Sequence, residues 1–228
     1  GHDRSGMRRP LRIVVPFRLQ GTKSRLSPVL SEEERRVLAQ AMLEDVLAAV
    51  AGFGRVTVLS RPGLEPRDLG DGVEVTESEL DLSGALNALI EENSSLGWGS
   101  DILIVMADLA LLTARDLHGI LGTEGDVVLC PGRGGGTNMI LIRDMRFRTC
   151  YRGCSFPRHL AFASQAGLRA SIYESFRAGC DIDEPDDLLE VLLHSHGRAR
   201  SALESMGFAV SGEECGRPLF RRGSDRLQ

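Results

Sequence analysis

Apolar positions along the chain change period repeatedly. Leu11-Arg-Ile-Val-Val15 is a short β-branched run stopped by Pro16 and reads as a buried strand. After a polar loop reaching Pro28, Ser31 and Glu34 form a capping-box pattern. The segment 32–51 then carries Val37, Leu38, Ala41, Met42, Val46, Leu47 and Val50 at helical spacing, until Gly52 and Gly54 stop it. Strands are predicted at 56–59, 73–75 and 102–106, with a helix over 83–92. Thr113 caps a helix running to 121. Further strands are expected at 126–129, 139–142 and 168–173, and helices at 155–167, 186–194 and 198–206. Strands alternating with helices predict a single α/β domain built on a mostly parallel, doubly wound sheet. Ligands of such sheets sit beyond the carboxyl ends of the strands, near the point where strand order reverses. The loops that follow strands are therefore where chemistry is expected.

Composition narrows the picture. At 228 residues and 42% hydrophobic, the chain can bury a sizeable core. Its longest apolar stretch, 102–107, is too short to span a bilayer, and no signal-peptide core stands near the start. A net charge of −5 argues against nucleic-acid binding. The five cysteines (130, 150, 154, 180 and 215) are odd in number and lack a Cys-x-x-Cys pair, so they read as ordinary thiols of a reducing, cytoplasmic compartment. Residues 1–6, ahead of Met7, read as a cloning remnant. The expected domain is 7–210, followed by a polar, weakly ordered tail over 211–228.

Charge type is more telling than charge sum. Among 27 basic residues the single lysine is Lys23, in the loop after the first strand, beside Gly21, Thr22, Ser24 and Arg25. Such a loop can offer backbone N–H groups and two cations to a polyphosphate. It also fits a solvated basic loop. Asp108 directly follows the most apolar strand, at the edge where ligands bind, and equally suits a turn. Gly132-Arg-Gly-Gly-Gly-Thr137-Asn138 links two strands, as a close-approach ligand loop or as a hairpin turn. Gly153 and Ser155 open a helix, giving an anion site or a plain cap. His159, in that helix, reads as structural or as an auxiliary anion contact. Asp181-Ile-Asp183 places two carboxylates on one face of an extended segment, as Mg²⁺ requires, while Glu184, Asp186 and Asp187 suit the next helix start, with Pro185 as its first residue.

Taken together, Lys23-Ser24-Arg25-Leu26, the Ala-Asp108-Leu turn, Gly134-Gly-Gly-Thr137-Asn138 and Asp181-Ile-Asp183 resemble the 2-phospho-L-lactate guanylyltransferase family of coenzyme F-420 biosynthesis, over about residues 11–206. One departure is Ala110, where the family usually has proline. The resemblance implies a fold of the nucleotide-diphosphosugar transferase type, Mg²⁺ on Asp108, Asp181 and Asp183, and a nucleotide-phosphate loop containing Lys23 and Arg25. It implies a phosphorylated three-carbon acid at Thr137, Gly153 and Ser155, with Asn138 alongside. GTP is the expected donor, with base contacts within 79–87 including Asn87, and a homodimer is the expected assembly. Phosphoenolpyruvate is the alternative acceptor. Rival readings are a sister nucleotidyltransferase or a non-catalytic GTP-binding regulator.

Overall fold

The computed structural model describes residues 9–17, 23–63, 69–97, 99–211 and 219–223. Seven strands form one sheet: β1 (Leu11–Pro16), β2 (Arg55–Ser60), β3 (Val73–Glu77), β4 (Asp101–Val105), β5 (Val127–Pro131), β6 (Thr137–Ile142) and β7 (Ala170–Ile172), in the order β3-β2-β1-β4-β6-β5-β7. Every pairing is parallel except the two made by β6. The reversal has a local cause. Only Gly132–Gly136 separates β5 from β6, and a parallel return needs a crossover of a dozen residues or more. As a result β6 begins where its parallel neighbours end.

Six helices flank the sheet: α1 (Glu32–Val50), α2 (Leu82–Ser95), α3 (Ala114–Leu121), α4 (Ser155–Gln165), α5 (Asp187–His194) and α6 (Arg198–Ser205). The sheet is covered on both sides, and strand alternation divides its residues. Ile13, Val15, Leu103 and Val105 pack with Leu43, Val46 and Val50 of α1 and with Leu117 and Ile120 of α3. Val14, Ile102 and Ile104 pack with Leu86, Leu89 and Ile90 of α2 and Ala163 of α4. A third cluster lies off the sheet, where Leu38 and Met42 of α1 meet Leu26, Leu30, Ile182, Leu188, Val191 and Leu203. Helix α1 thus buries two faces, while Val37 stays exposed.

The expected mostly parallel α/β fold and both capping signals are present. Ser31 and Glu34 close a reciprocal box at α1, and Thr113 and Asp116 do the same at α3. One expectation is corrected: helix α5 starts at Asp187, so Pro185 precedes the helix instead of opening it. In the tail, β9 (Leu219–Arg222) pairs antiparallel with β8 (Phe208–Ser211), and Arg222 binds Glu34 and the carbonyl of Met206. A polar composition concealed this strand because an ion pair and backbone bonds hold it. Among the described residues no helix is long and apolar enough to cross a membrane.

Helix α6 is capped from a distance. Asp45 of α1 accepts the N–H groups of Arg198 and Ala199 at 2.7 and 2.9 Å. Gly197 is required there, because a Cβ would collide with the Asp45 carboxylate. Asp45→Ala should lower stability by about 1–2 kcal/mol in urea unfolding, the cost of losing a cap.

Candidate active site

Because β1 and β4 are parallel neighbours, the loops leaving their carboxyl ends meet. Leu26 is fully buried and anchors a 3-10 turn, Ser24–Leu26, whose first bond runs from the Leu26 N–H to the Lys23 carbonyl at 2.9 Å. Lys23 enters this turn at φ 62°, ψ 40°; it is the one non-glycine residue with positive φ among those described. That backbone conformation is costly for a side-chain-bearing residue and tends to persist at functional sites. It sets the Lys23 ammonium 2.6 Å from Asp108 Oδ2 and 3.7 Å from Asp183 Oδ1. Arg25 reaches Asp183 at 3.1 Å and Glu184 at 3.6 Å. The cations and acids picked out in the sequence therefore converge, though 85 residues separate Lys23 from Asp108.

The acidic turn is held in place by Ile182, Asp187 and Arg133. Ile182 is buried in the third cluster, and its N–H reaches the Asp108 carbonyl, so Asp181 and Asp183 flank an anchored residue. Asp187 stands at the start of α5, as expected, and has a second role. Its Oδ2 accepts the N–H groups of Asp183 and Glu184, each at 2.8 Å, and its Oδ1 accepts Arg133 at 2.8 Å. Arg133 also donates to the Asp181 carbonyl at 3.0 Å. No local pattern in the sequence marks this Arg133–Asp187 strut, because its partners are 54 residues apart.

The three predicted metal ligands are gathered only in part. Among the described residues, no three His, Cys, Asp or Glu side chains form a cluster able to hold an ion, and Asp183 is engaged by Lys23 and Arg25. Asp108 and Asp181 remain suited to a cation. Each keeps a buried Oδ1 without a hydrogen-bond partner. Burial, reinforced by the Asp108 charge, holds the Asp181 carboxyl above its ordinary value.

The glycine link is explained largely by its own geometry. Gly134 and Gly135 have φ of 74° and 83°, and a Cβ on Gly132 would strike the Asn138 amide. Asn138 is buried and donates to the Ala178 carbonyl at 2.9 Å, so it braces the site from beneath. Thr137, first residue of β6, lies 3.0 Å from Ser155, first residue of α4, and 2.8 Å from His159 Nδ1. Gly153 makes the preceding turn with φ 58°. Asn87, expected among the base contacts, is bonded to Thr149 in this structure. Its amide donates to the Thr149 carbonyl at 3.2 Å, and its oxygen accepts the Thr149 N–H at 2.8 Å and hydroxyl at 3.0 Å. Gly21 and Thr22 lie outside the described residues. An apolar cleft lined by Phe17, Ala39, Met42, Leu82 and Met106 also has Lys23 and Asp108 in its wall.

The fold is of the nucleotide-diphosphosugar transferase type. A candidate nucleotide-diphospho-sugar transferase from Desulfovibrio desulfuricans G20 has the same fold at TM-score 0.70 and 15% identity, over 86% of this chain and 94% of that one. A nucleotidyl transferase from Methanothermobacter thermautotroptrophicus superposes at TM-score 0.57 and 18% identity, over 86% and 99%. Residues 11–222 match the guanylyl transferase CofC-like family, and the chain belongs to it. It is 53% identical to the 2-phospho-L-lactate guanylyltransferase of Methanothrix thermoacetophila, over 90% of this chain and 93% of the relative. It is 42% identical to that of Archaeoglobus fulgidus, over 93% and 98%.

Asp181→Asn should raise the melting temperature at neutral pH. An acid whose folded pKa is raised opposes folding when ionised, so removing its charge stabilises the native state there. The gain should shrink as pH falls through the raised value and vanish below the ordinary 3.8, as followed by thermal unfolding across pH.

Proposed function

We propose that the protein transfers the guanylyl group of GTP to the phosphate of 2-phospho-L-lactate and releases pyrophosphate, a step of coenzyme F-420 biosynthesis. The observation that carries the chemistry is Lys23 set against Asp108 and Asp183 at the carboxyl edge of the sheet, beside two buried carboxylate oxygens without partners. The identity of the reactants rests on the names of relatives that match nearly the whole chain.

In this reading an acceptor phosphate oxygen forms a bond to the α-phosphorus of GTP as the bond to the β-phosphate oxygen breaks. No side chain need remove a proton. A phosphate monoester is largely dianionic at neutral pH, since its second pKa is about 6. The problem to be solved is repulsion between two anions. Lys23 and Arg25 bind and stabilise the departing pyrophosphate, exchanging contacts with Asp108 and Asp183 for phosphate oxygens. Asp108 and Asp181, with Asp183 beside them, would hold Mg²⁺, which would supply neutralisation of phosphate charge. Thr137, Ser155 and the Gly153 turn receive the three-carbon acid, and the apolar cleft next to Lys23 receives the guanosine. A homodimer belongs to the same reading, supported by exposed Ile172 on edge strand β7 and exposed Phe176 just beyond it.

The test is pyrophosphate release from GTP with Mg²⁺, run with 2-phospho-L-lactate, with phosphoenolpyruvate and with no acceptor. Release that depends on 2-phospho-L-lactate supports the proposal. Dependence on phosphoenolpyruvate alone changes the acceptor, and GTP binding without release identifies a regulator. Asp108→Asn and Lys23→Arg should each leave the fold intact. Each should lower kcat by about 100-fold, the scale of losing one charged transition-state contact. Lysine and arginine differ too much in shape for the retained charge to suffice.

A further inference from the structure

His159 is a fully buried titratable group that the mechanism leaves unused. It stands one turn into α4, edge-on to Tyr151 at 4.9 Å between ring centroids and tilted against Phe147 at 5.9 Å. Its two nitrogens have different partners. The backbone N–H of Cys150 points at Nε2 from 2.9 Å, and Thr137 Oγ1 lies 2.8 Å from Nδ1. A backbone amide can only donate, so Nε2 must accept and carries no hydrogen. In a neutral imidazole the hydrogen is then on Nδ1, which donates to Thr137. Burial holds the ring neutral, lowering its pKa to about 4. Rotating the ring by 180° would leave the Cys150 N–H facing carbon.

This tautomer decides what the neighbouring hydroxyls can do. Thr137 and Ser155 are 3.0 Å apart and own two hydroxyl hydrogens, of which one is spent between them. Were Nδ1 an acceptor, it would take the second hydrogen, and the pair would face a ligand with lone pairs only. Because Nδ1 donates, the second hydrogen stays available. We infer that His159 is a positioning residue whose donation to Thr137 frees one hydroxyl hydrogen of the Thr137–Ser155 pair to bind an anionic oxygen of the acceptor. This rests on the acceptor site proposed above. The amide that sets the tautomer is itself fixed. Its loop is tied to α2 through Asn87 and Thr149 on one side of Cys150 and through the Tyr151 N–H and Ser83, at 2.8 Å, on the other. The chain of donors thus runs from a braced loop through His159 to the acceptor.

Two measurements test it. The first is ¹⁵N–¹H correlation of histidine side chains in the full-length protein, with His159 assigned by its proximity to the Tyr151 ring. A protonated Nδ1 and a bare Nε2 are expected; a hydrogen on Nε2 overturns the inference. The second is steady-state kinetics with 2-phospho-L-lactate. His159→Phe, which has no donor, should raise the acceptor KM about tenfold, on the scale of one hydrogen bond to a charged group, with kcat and the GTP KM within a few-fold. His159→Asn returns an N–H near the Nδ1 position and should bring the acceptor KM back to within about threefold of wild type. Equal KM values for the Phe and Asn variants would refute donation as the cause. Ser155→Ala and Thr137→Val separate the two levels of the argument. If neither moves the acceptor KM, the acceptor site is elsewhere. If Ser155→Ala raises it and His159→Phe does not, the site stands and the role of His159 fails. Should His159→Phe not fold, the tautomer measurement on the unsubstituted protein still decides.

Discussion

The site depends on one contact, the ion pair between Lys23 and Asp108 at 2.6 Å. Each side chain sits at the exit of one of two adjacent parallel strands, so the pair exists only if β1 and β4 are neighbours in register. Around it the other charges take their places: Asp183 and Arg25 on the outer side, Asp181 behind, and Asp187 and Arg133 tying down the acidic turn. Both side chains are largely buried, so desolvation offsets much of their attraction and the pair is no measure of stability. Its significance is positional, because it draws together the loops of a polyphosphate-binding edge.

Much of the fold was legible in the sequence. Unbroken β-branched runs, the Ser31–Glu34 box, the Thr113 cap and the glycine stops act within a few residues, where local rules hold. Lys23, Arg25 and Asp108 lie in loops that leave strand ends, where ligands of such sheets bind, whereas their grouping with Asp181 and Asp183 came from the family resemblance. What stayed hidden depends on partners far apart in the chain. Asp187 does open α5, but its second role stayed hidden because its bond to Arg133 leaves no local trace. The half-buried clamp of Asn87 on Thr149 likewise joins residues 62 apart. The strand at 219–222 was masked by its polar composition.

The site also runs against the general tendency of interiors to pair polar groups. Asp108 and Asp181 hold buried oxygens without partners, and Lys23 holds an uncommon backbone conformation. Both cost stability, and the compensation lies in the apolar clusters on the two faces of the sheet. The acceptor side follows the opposite plan. Thr137, Ser155 and His159 are mutually satisfied, so direction, not strain, is what that half of the site stores.

The distant cap on α6 has a kinetic consequence. A helix of eight residues does not persist alone in water, and its first N–H groups are satisfied by Asp45, 153 residues earlier. Helix α6 can therefore consolidate only after α1 has docked. As the chain emerges during synthesis, the outer face of α1, with Leu38 and Met42, has only Leu26, Leu30, Ala110 and Leu111 to cover it until the last quarter arrives. The closing of that third cluster is then a late event that seals the chain into one cooperative unit.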